Sequence, residues 1–206
     1  MEHSLFTIGH SSHTLERFLA LLNLHGVTAV GDVRSKPYSR MNPQFNREAL
    51  KGRLREAGIG YVFLGRELGA RSEDPSCYEH GRVQYGRLAA TGLFRQGLQR
   101  VQSGMKKYRL ALMCAEKEPL QCHRAVLVSR HLSAAGITIQ HILADGGLES
   151  QAGLLDRLRR RLDLPECDLF RSYEDVLVDA YRIQESRIAA AAVETESEAS
   201  PLGAAG

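Results

Sequence analysis

The sequence predicts an α/β fold, a Rossmann-like three-layer sandwich in which a mainly parallel sheet of five strands lies between two layers of helices. Three observations predict this fold. Short, apolar, partly branched segments alternate five times with segments of helical period. The sequence contains no internal repeat. Its length of 206 residues suits a single domain with a substantial core.

The N-terminal part of the chain predicts a strand, a helix and a second strand. Residues 5–8 form a short, branched apolar run that stops at Gly9, which indicates the first strand. From Ser12 onwards apolar side chains recur at helical spacing until Gly26, where the helix would end. Residues 27–33 are again apolar and predict the second strand.

The next predicted elements follow a polar loop that several prolines interrupt. Asn46 can cap a helix that Gly58 closes, and residues 61–64 predict the third strand. Residues 65–82 are rich in glycine, serine and charged residues, which predicts a loop. A helix is then expected over residues 85–101.

The C-terminal half continues the alternation. Residues 108–113 and 137–143 predict the fourth and fifth strands, with a helix over 122–134 between them. Two further helices are expected, one that ends at Leu162 and one over residues 173–186.

The charge and composition of the last residues differ from those of the body. We expect one α/β domain over residues 1–186 and a disordered, acidic and alanine-rich tail over 187–206. The net charge is +3; four glutamates and one arginine give residues 184–206 a charge of −3, which leaves +6 for the rest. A basic body favours a small anionic ligand, and nucleic acid is a further candidate partner.

The composition also excludes several protein classes. No apolar stretch approaches the ~20 residues that cross a bilayer, and the N-terminus lacks the pattern of a secretory signal. We therefore expect a cytoplasmic protein without a membrane partner. Its cysteines, at positions 77, 114, 122 and 167, are expected to be thiols, because disulfide frameworks occur in shorter, secreted chains richer in cysteine.

Polar side chains collect where the predicted strands end. Open parallel sheets bind ligands outside the carboxyl ends of their strands, so these residues are expected to meet in one cleft. The candidates at the strand ends and in the loop after the fourth strand are His10, Ser11, Asp32, Arg34, Cys114, Glu116, Cys122, His123, Arg124 and His141.

The residue types divide these candidates into two roles. Imidazoles, thiols and carboxylates can transfer protons or attack a substrate, so the predicted catalytic residues are His10, Asp32, Cys114, Glu116, Cys122 and His123. The predicted substrate-binding residues are Ser11, Arg34, Arg124 and His141, with the arginines suited to an anionic group. A structural alternative remains open for the Asp32–Arg34 pair, which can brace a loop instead.

The segment CAEKEPLQCHR, residues 114–124, concentrates most of this chemistry. Pro119 suits a position near a helix start, which would place Cys122 and His123 in the first turn, where the helix dipole and Arg124 favour a reactive thiolate. Packing of one cysteine under the loop is the alternative. The two cysteines lie eight residues apart, wider than the usual zinc spacing of ~2–4, and adjacent helical residues point about 100° apart. We therefore predict no metal ligand and leave the cofactor open.

Five blocks of the sequence together resemble a known family. The blocks TIGHSSHTLERFL, GDVRSKPYSRMNPQFN, LGRELGAR, LMCAEKEPLQCHRAVL and QHIL are similar, in this order, to DUF488, a family of domains of unknown function. The resemblance implies a cytosolic α/β domain with a shared set of polar residues. It implies no particular reaction.

Two main hypotheses for the function follow. The chain is an enzyme that acts on an anionic substrate, such as a nucleotide or a piece of nucleic acid, or it is a module that binds an anion or nucleic acid without turnover. A metal site at the Cys/His cluster and a purely structural polar edge are further alternatives. A closed pocket with convergent histidine and cysteine would favour the enzyme, and a flat basic face would favour the binding module.

Overall fold

The computed structural model describes residues 4–167 and 170–198 and is built around a sheet of six strands with a separate two-stranded hairpin. The strands are β1 (Leu5–Gly9), β2 (Ala29–Asp32), β3 (Gly60–Phe63), β4 (Tyr78–Glu79), β5 (Arg82–Val83), β6 (Leu110–Cys114), β7 (Ile139–Ile142) and β8 (Leu148–Ser150). The sheet has the order β3-β2-β6-β1-β7-β8, and β4 and β5 form the hairpin.

Helices connect the strands and cover the sheet. They are α1 (Leu15–Leu24), α2 (Arg47–Glu56), α3 (Gly65–Leu68), α4 (Tyr85–Ala89), α5 (Gly92–Met105), α6 (Arg130–Ala134), α7 (Gln151–Arg161) and α8 (Tyr173–Glu198). Short 3-10 segments cover Pro43–Phe45, Pro75–Cys77 and Pro119–Gln121, and a π-helical segment covers Arg124–Ser129.

The predicted mainly parallel α/β sheet is confirmed, with one strand more than expected. The five predicted strands pair in parallel, as β1 does with β6 and with β7. The sixth strand, β8, pairs antiparallel with β7 after a turn at Gly146, whose φ is 101°. It has three residues and a single apolar one, Leu148, so its sequence carries no strand period.

The core lies on both faces of the sheet, as a three-layer arrangement requires. In β6, Leu112 and Cys114 belong to one apolar cluster, while Ala111 and Met113 belong to the other. Helices α1 and α2 cover the second cluster, and α5, α6 and α8 contribute to the first. Alternating burial on two faces explains why β1 and β6 consist entirely of buried residues.

Two predicted boundaries in the middle of the chain need correction. The segment 65–82, expected to be a loop, contains α3 and the hairpin, elements too short to show a period. The helix expected over 85–101 is two helices, because Thr91 caps a new one: its side chain accepts a hydrogen bond from the backbone N–H of Phe94.

The helix expected over 122–134 is also different. Cys122 is extended, with φ −131° and ψ 136°, and closes the preceding 3-10 turn. The chain then enters the π-helical segment before α6 begins at Arg130. A π-helix has about one residue more per turn than the α-helix that the sequence pattern predicted. Such segments frequently occur at functional sites.

The last helix, α8, is longer than the sequence pattern indicated. Residues 187–198, expected to be disordered, belong to this helix, in which Ala189 is still buried. Alanine has the highest helix propensity, and this accounts for the extension. Residues 199–206 lie outside the described residues, and the domain boundary at residue 186 remains a prediction. Across the described ranges, none of the helices combines the length and apolar composition needed to cross a bilayer.

The loop after β6 crosses directly over the end of β1. A Cβ atom at Gly9 would collide with the backbone carbonyl oxygen of Glu116, whereas one at Gly52, in the middle of α2, has no neighbour within 4 Å. We expect Gly9→Ala to lower the free energy of unfolding by about 1–3 kcal/mol through overpacking. Gly52→Ala, the matched control, should raise it by about 0.5–1 kcal/mol through helix propensity.

Urea unfolding of the two variants and the wild type measures both effects. Changes of the same sign and size in the two variants would contradict the close approach of loop and strand.

Candidate functional site

A cleft of about 880 Å³ opens at the carboxyl edge of the sheet, beside the ends of β2 and β6. Its floor contains Cys114, Glu116 and His123. Further side chains form its walls, from the loops after β2 and α3, from the 3-10 segment Pro119–Gln121 and from α4, α7 and α8: Arg34, Ser35, Lys36, Arg71, Tyr85, Leu120, Leu158, Arg161, Gln184, Arg187 and Ile188.

Four side chains with metal-ligand chemistry converge at this floor. One ligand atom from each of Cys114, Glu116, Cys122 and His123 lies within 4.8 Å of all the others. The Nδ1 atom of His123 is 3.7 Å from Cys114 Sγ and 3.9 Å from Cys122 Sγ. Cys122 Sγ is 2.9 Å from Glu116 Oε2. We call these four residues the thiol–imidazole cluster.

The orientation of His123 is fixed by the neighbouring strand. Its Nε2 lies 3.1 Å from the carbonyl oxygen of Val33, which only accepts hydrogen bonds, so Nε2 carries a hydrogen and donates it. In the neutral ring Nδ1 is then unprotonated and faces the two thiols. The backbone of β2 therefore selects the tautomer in which the free lone pair points into the cluster.

The neighbouring groups of the cluster shift one another's pKa values. Burial alone would raise the pKa of Cys122, but a hydrogen bond from Cys114 and the charge of Arg124 hold it well below its ordinary value. Burial and the Cys122 charge raise the pKa of Cys114, and they also raise the pKa of Glu116, an exposed residue whose carboxylate end is turned inwards against the Cys122 sulfur. One proton can thus lie on either Cys122 or Glu116 across their short contact.

The local backbone brings Cys122 and His123 to the same point, which corrects the expectation that they diverge. That expectation assumed two successive helical residues about 100° apart. Because Cys122 is extended and only His123 has helical torsion angles, both side chains reach the cluster. The backbone N–H of Arg124 lies 3.4 Å from Cys122 Sγ, a contact that further supports a negative sulfur.

Arg124, predicted to bind substrate, is fully buried and lies under the loop instead of lining the cleft. Its guanidinium donates to the carbonyl oxygens of Glu116, at 2.5 Å, and Lys117, at 3.2 Å, and its Nε lies 3.4 Å from Thr7 Oγ1. These contacts hold the backbone that carries Glu116. Because Arg124 supports the loop from inside, its replacement would disturb the fold.

His141 also lies inside the protein, in a chain of buried hydrogen bonds. Its Nδ1 accepts from Thr7 Oγ1 at 2.7 Å, and its Nε2 donates to Gln151 Oε1 at 2.7 Å. The amide nitrogen of Gln151 donates to the hydroxyl of Tyr181 and to the carbonyl of Ala125. The chain ties β1 and β7 to α7, α8 and the π-helical segment, so His141 braces the site without reaching the cleft.

His10, Asp32 and Arg34 form a second network beside the cluster. Arg34 donates to both carboxylate oxygens of Asp32, at 2.9 and 2.7 Å, and its Nη1 donates to His10 Nε2 at 3.2 Å. Arg34 also reaches the carbonyl of Phe45, whose ring stacks on His10 at 4.3 Å. Burial and the Arg34 charge lower the pKa of His10 to about 4.

This network favours the bracing alternative for the Asp32–Arg34 pair. Asp32 is fully buried and also accepts from the hydroxyl of Tyr61. Ser11 has a φ of 44°, and its carbonyl oxygen accepts the Nδ1–H of His10. Of these residues only Arg34 lines the cleft.

The predicted residues therefore separate into three groups. The structure brings together Cys114, Glu116, Cys122 and His123, and places Arg34 in the cleft wall. His10, Ser11 and Asp32 lie at the same sheet edge, behind that wall. Arg124 and His141 lie beneath it, and the catalytic and binding roles assigned from the sequence remain predictions.

Sequence reasoning missed most of the cleft wall. Tyr85 is 4% exposed and lines the cleft without a hydrogen-bond partner among the described residues. Arg187, on α8, was assigned to the tail, and Arg161, on α7, was not among the candidate residues. The run of arginines ending at Arg161 was the available signal, but helical period alone does not show which of them faces a neighbouring strand edge.

Comparison with known proteins adds a family relationship. Residues 14–131 match the family model described as Domain of unknown function DUF488. The matched range includes the whole thiol–imidazole cluster and ends before α7 and α8. Neither the curated proteins nor the solved structures gave a significant match to the chain.

Acidification is expected to destabilise the protein through His141. Burial and the charge of Arg124 lower the pKa of His141 from 6.5 to about 4, against smaller opposing contributions from the hydrogen bond to Gln151 and the charge of Glu149. Between these two values the unfolded chain binds more protons than the folded one, so the free energy of unfolding falls as pH falls. From about pH 7.5 to about pH 5 the loss due to this residue is roughly 2 kcal/mol.

Urea unfolding at the two pH values tests this expectation. His141→Gln should be less stable at neutral pH but should lose less stability on acidification than the wild type. His80→Asn is the control, because His80 is an exposed turn residue at φ 48°, a conformation that asparagine tolerates. An equal loss of the free energy of unfolding on acidification in the wild type and His141→Gln would contradict a contribution of His141 to the pH dependence.

Proposed function

This chain belongs to the DUF488 family, whose function is unknown, and we propose that it is an enzyme acting on a small anionic substrate in the cleft above the thiol–imidazole cluster. One observation carries the proposal: a concave cleft with a strongly one-sided charge lies directly over convergent thiol, imidazole and carboxylate groups.

The charge of the cleft supports an anionic substrate. Five cationic side chains line it against the single carboxylate of Glu116, namely Arg34, Lys36, Arg71, Arg161 and Arg187. Lys36, Arg161 and Arg187 make no salt bridge with any described residue. Cations without a protein counter-ion in a concave site raise the local concentration of anions and can make charge-assisted hydrogen bonds to them.

The size and apolar parts of the cleft support a substrate with a second, less polar portion. A volume of about 880 Å³ is within the usual range for small-molecule and cofactor sites. Tyr85, Leu120, Leu158 and Ile188 contribute apolar wall beside the cations. A nucleotide combines an anionic group with an aromatic ring, so it can contact both the cationic and the apolar side chains of the cleft wall.

The floor of the cleft supports chemistry in addition to binding. Cys114, Glu116 and His123 line the floor of the cleft, and Glu116 is the most exposed of the three. Imidazole and carboxylate can exchange protons with a bound substrate, and the networks around Arg34 and Arg124 hold these groups in place. Cys122 does not line the cleft, so a simple attack by its thiolate on the substrate is not favoured.

The charge of the cleft predicts a specific pattern of ligand binding. We expect adenosine 5′-monophosphate and inorganic phosphate to bind and raise the melting temperature of the wild type, whereas uncharged adenosine should have a much smaller effect. The double variant Arg161→Gln/Arg187→Gln should bind adenosine monophosphate roughly tenfold more weakly. The matched control is Arg55→Gln, an exposed arginine on α2 outside the cleft.

Isothermal titration gives the affinities, and mass spectrometry of the ligand after incubation separates an enzyme from a binding module. Binding without any chemical change across a panel of nucleotides would favour the module. Tighter binding of an oligonucleotide that is equally weakened by Arg55→Gln would favour a diffuse nucleic-acid surface. Equal affinities of the double variant and the control would refute the anion-binding cleft.

A further inference from the structure

The thiol–imidazole cluster has the spacing of a zinc site. In a tetrahedral site with Zn–S distances of about 2.3 Å and Zn–N distances of about 2.0 Å, the ligand atoms lie about 3.5–3.8 Å from one another. The His123 nitrogen is 3.7 and 3.9 Å from the two sulfurs, and no ligand atom of the cluster is more than 4.8 Å from another. Small side-chain adjustments would complete the site.

The donor atoms are also of the right type. Two thiolates and one neutral imidazole are a ligand set that catalytic zinc sites use, with the fourth position left for water. The hydrogen bond from His123 Nε2 to the Val33 carbonyl keeps the Nδ1 lone pair on the cluster side. Such a bond from the non-ligating nitrogen is a regular feature of zinc-binding histidines.

The charges around the cluster favour a cation at its centre. Cys114, Glu116 and Cys122 can all be anionic, yet no salt bridge to any of them forms within the described part of the chain. Arg124, the nearest cation, directs its guanidinium donors to carbonyl oxygens and to Thr7.

The supporting backbone keeps the ligands in place before any metal binds. Cys114 ends β6, and its carbonyl oxygen accepts from the N–H of His10. Arg124 fixes the carbonyl of Glu116, which also rests on Gly9. Cys122 and His123 lie between a 3-10 turn, in which Pro119 and Leu120 are buried, and a π-helical segment whose residues are all buried. A site held by strands and packed turns loses little conformational entropy on binding.

We propose that Cys114, Cys122 and His123 bind a zinc ion at the floor of the cleft, with Glu116 at the fourth position. Glu116 is the one exposed member of the cluster, so it is the ligand that water or substrate can replace. This inference rests on the proposed function for the place of the ion beside the substrate. When bound, zinc would act as a Lewis acid and activate a water molecule, for which Glu116 is the nearby proton acceptor.

Cobalt substitution tests the proposal on the full-length protein. The protein is purified under reducing conditions, freed of metal with a chelator and titrated with Co²⁺, then with Zn²⁺ as competitor. We expect one equivalent of Co²⁺ to produce a thiolate-to-cobalt charge-transfer band and the intense visible bands of tetrahedral cobalt. Zn²⁺ should displace the cobalt and abolish both. A folded wild type that gives no charge-transfer band would overturn the proposal.

Variants assign the ligands. Cys114→Ser and Cys122→Ser should each lose about half of the charge-transfer intensity and at least tenfold in affinity, while Cys167→Ser, an exposed cysteine outside the cluster, should match the wild type. Glu116→Gln should keep both thiolate bands with a smaller loss of affinity. Loss of the band in Cys167→Ser with retention in Cys114→Ser would refute the assigned ligands.

The experiment remains decisive if the buried cysteine variants fail to fold. The wild-type spectrum reports thiolate ligation without any mutation, and Glu116→Gln changes an exposed side chain only. Cobalt binding requires no anion, and binding of adenosine monophosphate to the arginine wall requires no metal. Failure of the zinc proposal is therefore distinguishable from failure of the proposed anionic substrate.

Discussion

The site depends on the buried guanidinium of Arg124. Its donors hold the carbonyl oxygens of Glu116 and Lys117 from below, and through Thr7 they join the hydrogen-bond chain that contains His141. A buried charge is costly unless its hydrogen bonds are satisfied, so this residue constrains every group that it contacts. Together with a hydrogen bond from Cys114, the same charge lowers the pKa of Cys122, so Arg124 influences both the position of the loop and the protonation of the cluster.

Two polar networks surround the cluster without belonging to it. On one side Arg34 joins Asp32 and His10, and on the other Thr7 and Gln151 hold His141. Burial keeps both histidines uncharged near neutral pH, because the pKa of each is about 4. Both networks consist of buried, hydrogen-bonded side chains, whereas Cys114, Glu116 and His123 of the cluster line the cleft.

Sequence reasoning predicted the mainly parallel sheet more successfully than the short elements and the orientation of individual side chains. Strands β1 and β6 are continuous buried runs, so their existence and parallel pairing follow from local pattern. Three-residue β8 and the extended Cys122 were missed, because neither produces a period. Arg124 and His141 were placed in the cleft on residue type, which gives no information on whether a side chain points inwards or outwards.

The sequence by itself determined which polar residue types lie at the carboxyl edge of the sheet. Parallel strands end at the same edge, and the residues that follow each predicted strand are known from the sequence. Tertiary structure alone decided which of those side chains meet. The carbonyl oxygen of Val33 orients the ring of His123, and Gly9, which has no Cβ atom, leaves space for the loop after β6. Helices α7 and α8 place Arg161 and Arg187 in the wall of the cleft. Each of these contacts joins residues far apart in the chain, so the periodicity of neighbouring residues does not predict them.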